Sequence, residues 1–244
     1  MNKVILILVA IIILLAGAVA YFLWDRNPDR VTEEENSIAT STQQVENKEN
    51  NEPLEGPTTI GSSVDGREII AHRYGTGEKH LVFVGGIHGG YSWNTVLVAY
   101  ELMDYLENNR AEIPENVRVT VIPVLNPDAL QIVVNADGRF KPQDVSVSAA
   151  NTIESRLNAN GVDLNRNFDC DWQETGTWQS RDVSGGDRPF SEPESEAFRN
   201  FVNSNEPSAV LVWYSAAGGV FASSCHNDVS DETRDLTRIF AEAS

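Results

Sequence analysis

Three segments of the 244-residue sequence concentrate the side chains that could do chemistry: Gly85 to Asn94 (GGIHGGYSWN), Gly161 to Asp169 (GVDLNRNFD) and Trp213 to Gly219 (WYSAAGG). In the first, His88 stands between two glycine pairs, where the backbone can turn sharply and approach a bound group closely. An imidazole so placed serves as a metal ligand or base, or is simply a loop histidine satisfied by hydrogen bonds. A phosphate-cradling loop is excluded because no Gly-Lys-Ser/Thr follows. The two cysteines form no Cys-x-x-Cys pair, which excludes a zinc knuckle or a thioredoxin-like site, so a metal would be held by His and carboxylates. A serine esterase reading starts from His88-Gly89-Gly90 after one strand and Ser215 after another. It fails because the Gly-x-Ser-x-Gly elbow is absent and no Ser-Asp-His order can be built after Ser215.

Composition narrows the partners. With 36 acidic against 18 basic side chains the formal charge is −18. Nucleic acid and anionic lipid surfaces are excluded as partners, because each phosphate contact needs Lys or Arg to release counterions.

The three segments fall where strands end. Ile60 to Tyr74 reads as a hairpin turning at Asp65-Gly66. His80 to Gly85 (HLVFVG) is a short apolar strand of the kind buried on both faces of a sheet. Trp93 to Glu107 sets Val96, Tyr100, Met103 and Leu106 on one helical face. Val117 to Val124 is a further strand, and Ser191-Glu192-Pro193-Glu194 has the form of a capping box opening a helix through Val202. Ala209 to Tyr214 (AVLVWY) is another apolar strand, and a last helix near Asp231 to Glu242 is expected to bury Leu236, Ile239 and Phe240. Strands alternating with helices predict an α/β domain over 58–244, a mixed, mostly parallel sheet with helices on both faces. In such sheets the cleft lies at the carboxyl ends of the strands, where the three segments are.

The amino-terminal part is different in kind. Val4 to Trp24 is 21 residues without a charge, a length of roughly 31 Å as a helix and enough to cross a bilayer core. Residues 1–24 are therefore expected to be a transmembrane signal-anchor, with membrane contact through 4–24 and the domain outside the cytoplasm. A signal peptide cleaved after Ala18-Val19-Ala20, releasing a secreted domain, is the competing reading. Residues 25–57 hold nine acidic and three basic side chains and read as a disordered, self-repelling linker.

Taken together, GGIHG after a strand, GVDLNRNF, FSEPE at Phe190 to Glu194 and a strand ending in an aromatic-Tyr-Ser-Ala stretch resemble the zinc carboxypeptidase family, the carboxypeptidase A-like metallopeptidases. The resemblance runs from about Ile60 to the end of the chain. It implies zinc as cofactor, peptide C-termini as partners, and hydrolysis of C-terminal residues by a metal-activated water. The family's metal ligands are a His in the GGIHG turn, a Glu just after it, and a second His at the end of a later strand. Here His88 matches the first. The residue three after it is Tyr91, in relatives with a Gly-Gly-Tyr turn the carboxylate falls at Ser92, and Tyr214 stands where the second His is expected. A hydroxyl and a phenol are poor replacements, since each would have to lose a proton to do the work of a carboxylate or compensate for an imidazole. Zinc is therefore not expected to be held stably.

Other positions implied by the resemblance are retained. Asp163 matches the carboxylate that orients the first metal-binding His. Asn165 and Arg166 match the pair that grips a peptide's terminal carboxylate, and Arg156 resembles the catalytic arginine that steadies the oxyanion. As bare residues, Asp163 equally caps a turn, Asn165 equally takes an αL conformation, and the two arginines are equally solvated. His72, His80 and His226 show no ligand spacing and read as surface or packing residues. The family's general-base Glu lies on a strand beyond the segment matching Asp231 to Glu242, so the sequence up to Ser244 is expected to cover roughly the first two thirds of the family domain, leaving a sheet edge open. The family fold also brings the loops carrying Cys170 and Cys225 close together, which implies a disulfide. The resulting expectation is a carboxypeptidase-like domain without activity, or alternatively a non-catalytic, membrane-anchored binder of peptide or wall-peptide C-termini.

Overall fold

The computed structural model describes residues 56–134 and 138–243. The segment expected to span a membrane lies outside them, as does nearly all of the linker. Among the described residues no helix is long and apolar enough to cross a membrane.

A five-stranded sheet organises the domain, in the order β1-β2-β4-β3-β7. Its strands are β1 (Gly56–Ser62), β2 (Glu68–Tyr74), β3 (Lys79–Val84), β4 (Val117–Ile122) and β7 (Ala209–Val212). The first strand takes in Gly56 and Pro57, which the sequence reading had left to the linker. The hairpin of β1 and β2 is antiparallel with a register irregularity between Thr59 and Gly61, and β2 is also antiparallel to β4. Only the pairs β3–β4 and β3–β7 are parallel. The sheet is thus mixed, but evenly so rather than mostly parallel, because the turn at Asp65-Gly66 returns β2 directly beside β1.

Period-two alternation sorts the core into two layers. On one face Ile69, Ala71, Val82, Val84 and Ile122 pack with Ala197, Phe198 and Phe201 of helix α4 (Pro193–Asn205). On the other, Val119 and Val121 pack with Ala99, Met103 and Leu106 of helix α1 (Trp93–Asn108). A third cluster joins Val96 of α1 to Leu130, Val133 and Val134 of α2 (Pro127–Val134) and Ala150 of the short α3 (Val147–Ala150). A separate antiparallel pair, β5 (Thr175–Trp178) and β6 (Arg181–Ser184), was not anticipated. Its turn residues Gln179 and Ser180 both have positive φ yet lack the Asn-Gly or Asp-Gly pair that signals such a turn.

Two local expectations are corrected. At α4 the N-cap is Glu192 and no side chain caps the helix. Instead of a capping box, Ser191 Oγ donates to Glu192 Oε1 and Glu194 accepts from Val64 N and Asn158 Nδ2. Helix α5 (Asp231–Ala243) has no buried residue, with Leu236 47% and Ile239 55% exposed. Helical periodicity identifies an apolar face but not what covers it, and among the described residues this face is uncovered.

Cys170 and Cys225 form the expected disulfide, with Cα atoms 5.0 Å apart. It ties the loop after GVDLNRNF to the segment after β7 and closes a loop of 55 residues. Chain entropy then assigns it about 4 kcal/mol. Denaturant unfolding of the Cys170→Ala/Cys225→Ala variant is expected to show a loss of that order, and thiol titration of the unfolded, unreduced protein to find no free thiol.

Candidate functional site

The parallel strands β3 and β7 deliver Gly85 to Asn94 and Trp213 to Gly219 to one end of the sheet, whereas Gly161 to Asp169 follows the short helix α3 and not a strand, contrary to the expectation that all three segments leave strand ends. Leaving β3, the chain turns through Gly85 to Gly90 with almost no room for side chains. A Cβ on Gly89 would lie 2.4 Å from that of Ala129, and one on Gly90 would lie 2.1 Å from Val133 Cγ2. Gly89 also has φ +40°. Glycine is required at both positions if the turn is to sit on α2. The turn closes with Gly89 N donating to Gly86 O and Tyr91 N to His88 O, while Tyr91 N also donates to Ser155 O, 2.8 Å away. His88 is thereby buried, 3% exposed.

Opposite it lies Asp163, fully buried, with three duties. Its Oδ2 accepts from Arg156 Nε at 3.1 Å and Nη2 at 2.9 Å, and its Oδ1 accepts from Asn165 N at 3.1 Å, capping the 3-10 turn Leu164–Arg166. That same Oδ1 is 3.4 Å from His88 Nε2, a contact whose geometry falls short of a formed hydrogen bond. The turn-cap and histidine-facing readings of Asp163 thus both apply. Burial works to raise this carboxyl, but His88 and Arg156 outweigh it and hold it below the usual aspartate range. Burial pushes His88 down, against Asp163.

Arg156 is 5% exposed, so the solvated alternative does not apply to it. Its guanidinium lies 4.6 Å from the Trp178 ring centroid and 5.8 Å from that of Tyr91. Two of its N–H groups are committed to Asp163, so the structure places it as the ionic partner of that carboxylate. Trp178 comes from the unanticipated β5–β6 hairpin and meets Tyr91 edge-on at 5.0 Å, while Gln179 Nε2 donates to Tyr91 OH.

Asn165 and Arg166 line a cavity of about 330 Å3 together with Asp171, Trp172 and Thr175 to Thr177. Asn165 does not take the αL conformation. Its Oδ1 accepts from Tyr214 OH at 2.7 Å, and Arg166 Nη2 donates to Thr177 O at 3.2 Å. Tyr214 follows β7, where Trp213 stacks on Phe83 at 5.6 Å, and its ring lies 5.6 Å from that of His88. Desolvation and the Asp163 charge raise the phenol above its ordinary value, so it remains a donor. Ser215 Oγ donates to Asn94 Oδ1.

A catalytic zinc requires three protein ligands and one open position. At the two positions where the resemblance implies the other ligands stand a buried Ser92 and Tyr214, whose hydroxyl donates to Asn165. No group of three or more His, Cys, Asp or Glu among the described residues is placed to hold a metal. The donor set therefore does not fit a zinc of that kind. His80 is a packing residue, 1% exposed, with Nε2 2.8 Å from Thr120 Oγ1, and burial together with Arg118 lowers it to about 4. His72 is half-buried on β2, and His226 is exposed, 3.6 Å from Asp171.

Below the site, Asn167 and Asn158 do structural work that residue types alone did not reveal. Asn167 Nδ2 donates to Gly185 O, Arg188 O and Ser191 Oγ, and its Oδ1 accepts from Glu192 N and Ser195 Oγ. Asn158 Oδ1 accepts from Asn160 N and Val162 N, while its Nδ2 donates to Glu192 and Glu194. These bonds join GVDLNRNF to FSEPE.

Comparison with known proteins agrees with this architecture. A family model described as zinc carboxypeptidase matches residues 46–243. Carboxypeptidase B of Astacus astacus is 29% identical over 148 residues, 58% of this chain and 47% of its own length. Gamma-D-glutamyl-L-diamino acid endopeptidase 1 of Lysinibacillus sphaericus is 26% identical over 207 residues, 77% of this chain and 52% of its own. The chain thus spans about half the length of the curated relatives it matches. The crystal structure of carboxypeptidase A from Helicoverpa armigera shares the fold at a TM-score of 0.57 and 20% identity, over 77% of this chain and 47% of that one.

Glu194, fully buried in the network under the site, gives a test by pH. Burial raises its carboxyl above the ordinary glutamate value, against the hydrogen bonds from Asn158 and Val64. A raised folded-state value means the folded protein binds this proton more tightly than the unfolded chain does. The stability it contributes is fully present below the ordinary glutamate range and is lost as pH rises through the raised value. Thermal unfolding of wild type and Glu194→Gln from about pH 4 upward is expected to show a shallower decline with rising pH in the variant, even if the variant is less stable at every pH.

Proposed function

The chain belongs to the zinc carboxypeptidase family, and on that premise we propose that it recognises the terminal carboxylate of peptides through Asn165 and Arg166 without hydrolysing them. One observation carries the reading: the donors of the clamp line an open cavity, while the position of the second metal-binding imidazole holds a phenol bonded to the clamp itself. Arg166 uses one N–H on Thr177 O and keeps others for a ligand, and a planar guanidinium matches a carboxylate with two parallel hydrogen bonds. The expected membrane span and acidic linker would present this cleft outside the cytoplasm to peptide or wall-peptide ends.

Hydrolysis by a zinc-bound water is the second reading. The retained facing pair of His88 and Asp163 favours it, since such a carboxylate fixes the tautomer of a metal-binding imidazole. Of this chain's own residues, His88 is a ligand of the required type, Asp163 would orient it, and Asn165 with Arg166 would seat the substrate's carboxylate.

Two measurements separate these readings. Metal analysis of the full chain after dialysis against zinc is expected to give far less than one zinc per chain, and one per chain with peptide cleavage would establish the second reading. Calorimetric titration with a peptide acid and its C-terminal amide is expected to show the acid binding about 10- to 100-fold tighter, the range for charge-assisted hydrogen bonds. Arg166→Ala should abolish the difference, and equal wild-type affinities would remove the clamp.

A further inference from the structure

At the amino end of β3, the end away from the cleft, the sheet carries positive charge that no carboxylate answers. Arg73 stands opposite Thr120 across β2 and β4, and His80 stands opposite Arg118 across β3 and β4. Side chains that pair directly, or that lie two residues apart on one strand, share a face. These four therefore lie on the face that packs against α4, where His80 meets Phe201 edge-on at 6.2 Å. Arg73 and Arg118 are diagonal neighbours on it, a relation that sets residues about 7 to 8 Å apart and within reach of one another's long side chains. Beneath them His80 Nε2 is 2.8 Å from Thr120 Oγ1, and Arg73 Nη2 donates to Asn205 Oδ1 at the end of α4. The Nε atoms of Arg73 and Arg118 are both buried and have no hydrogen-bond partner among the described residues. Nor does an ion pair among those residues reach either arginine. Glu78, Glu115 and Glu206, the carboxylates that flank these elements, are exposed.

We propose that Arg73 and Arg118 form an anion site separate from the cleft, which takes a small ligand bearing a carboxylate or phosphate group between the two guanidinia. Each guanidinium carries five N–H donors, of which Arg73 gives one to Asn205. An oxyanion accepts from several such donors at once, with bonds about twice as strong as neutral ones. Its charge also offsets the repulsion of two cations on one face, a repulsion that adds to burial in holding Arg73 below its ordinary value. The site draws on no residue of the Asn165 and Arg166 clamp and is independent of that reading.

The test is calorimetric titration and thermal unfolding of the full chain in sodium phosphate, sodium acetate and sodium chloride at one ionic strength. Phosphate is expected to bind and to raise the unfolding midpoint above that in chloride, because a ligand of the folded state stabilises it. Acetate binding as well would mark carboxylates as ligands, and phosphate binding alone would mark phosphate esters. Arg118→Gln is expected to weaken phosphate binding about 10- to 100-fold, the range for a charge-assisted hydrogen bond. In chloride it should not lower the midpoint, since it removes a repulsion and breaks no internal bond. Arg73→Gln is expected to weaken binding similarly, and Arg166→Ala to leave it unchanged. A phosphate effect no larger than that of chloride overturns the proposal. So does binding that survives Arg118→Gln but is lost in Arg166→Ala, which would put the anion in the cleft. A midpoint that Arg118→Gln lowers equally in phosphate and in chloride makes the arginine structural, and the site falls.

Discussion

The buried carboxylate of Asp163 is the group on which the rest of the site depends. An ion taken wholly out of water costs several kcal/mol unless it is paired and hydrogen-bonded. Here Arg156 supplies the charge through two N–H groups and the turn Leu164–Arg166 supplies a main-chain N–H. Arg156 is in turn walled by Trp178 and Tyr91, so loops from three parts of the chain converge on a single charge. The position of Asn165 and Arg166 follows from the cap, and the burial of His88 follows from the contact opposite. Removing either partner of such a pair leaves an uncompensated ion, which is why the loops are coupled although little regular structure joins them.

That internal neutralisation shapes the chemistry available. Asp163 and Arg156 cancel, burial pushes His88 below its ordinary value, and Tyr214 keeps its proton. The net cation left among these side chains is Arg166. A metal centre would need anionic or imidazole donors facing a common point, and the two side chains nearest His88 in that role are hydroxyl groups, one already bonded to Asn165. The cavity that Asn165 and Arg166 line sets their donors beside the carboxylate of Asp171.

Much of this was legible in the sequence because its signals were local. Glycines around His88 announced a sharp turn, Asp65-Gly66 announced the hairpin, and a short apolar run placed β3. The family resemblance supplied the pairing of Cys170 with Cys225. What stayed hidden depended on contacts between residues distant in sequence. The β5–β6 hairpin turns on Gln179 and Ser180, whose positive φ values are set by strand pairing rather than by residue preference. Ser191 to Glu194 has the spacing of a capping box, yet Glu194 is captured by Asn158 and Val64, partners that lie 36 and 130 residues away. The apolar face of α5 was readable, but the absence of a cover among the described residues was not, because periodicity carries no information about neighbours. Nor could spacing show that Tyr214 would be tied to Asn165 across 49 residues.

Charge sets the terms on which any carboxylate could be held at this site. A formal charge of −18 gives the chain a field that opposes the approach of any anionic peptide. At physiological ionic strength that field is screened over about 8 Å, so it hinders encounter without controlling the contact itself. Affinity for a carboxylate must then come from donors within hydrogen-bond range, with Arg166 as the charge and Asn165 as its neighbour. A second cation would have been the simpler aid, but the other arginine of the site is already paired with Asp163. An acidic domain whose buried Arg156 is spent on Asp163 has only the remaining Arg166 donors, one of them on Thr177 O, to set against its own field in this cleft.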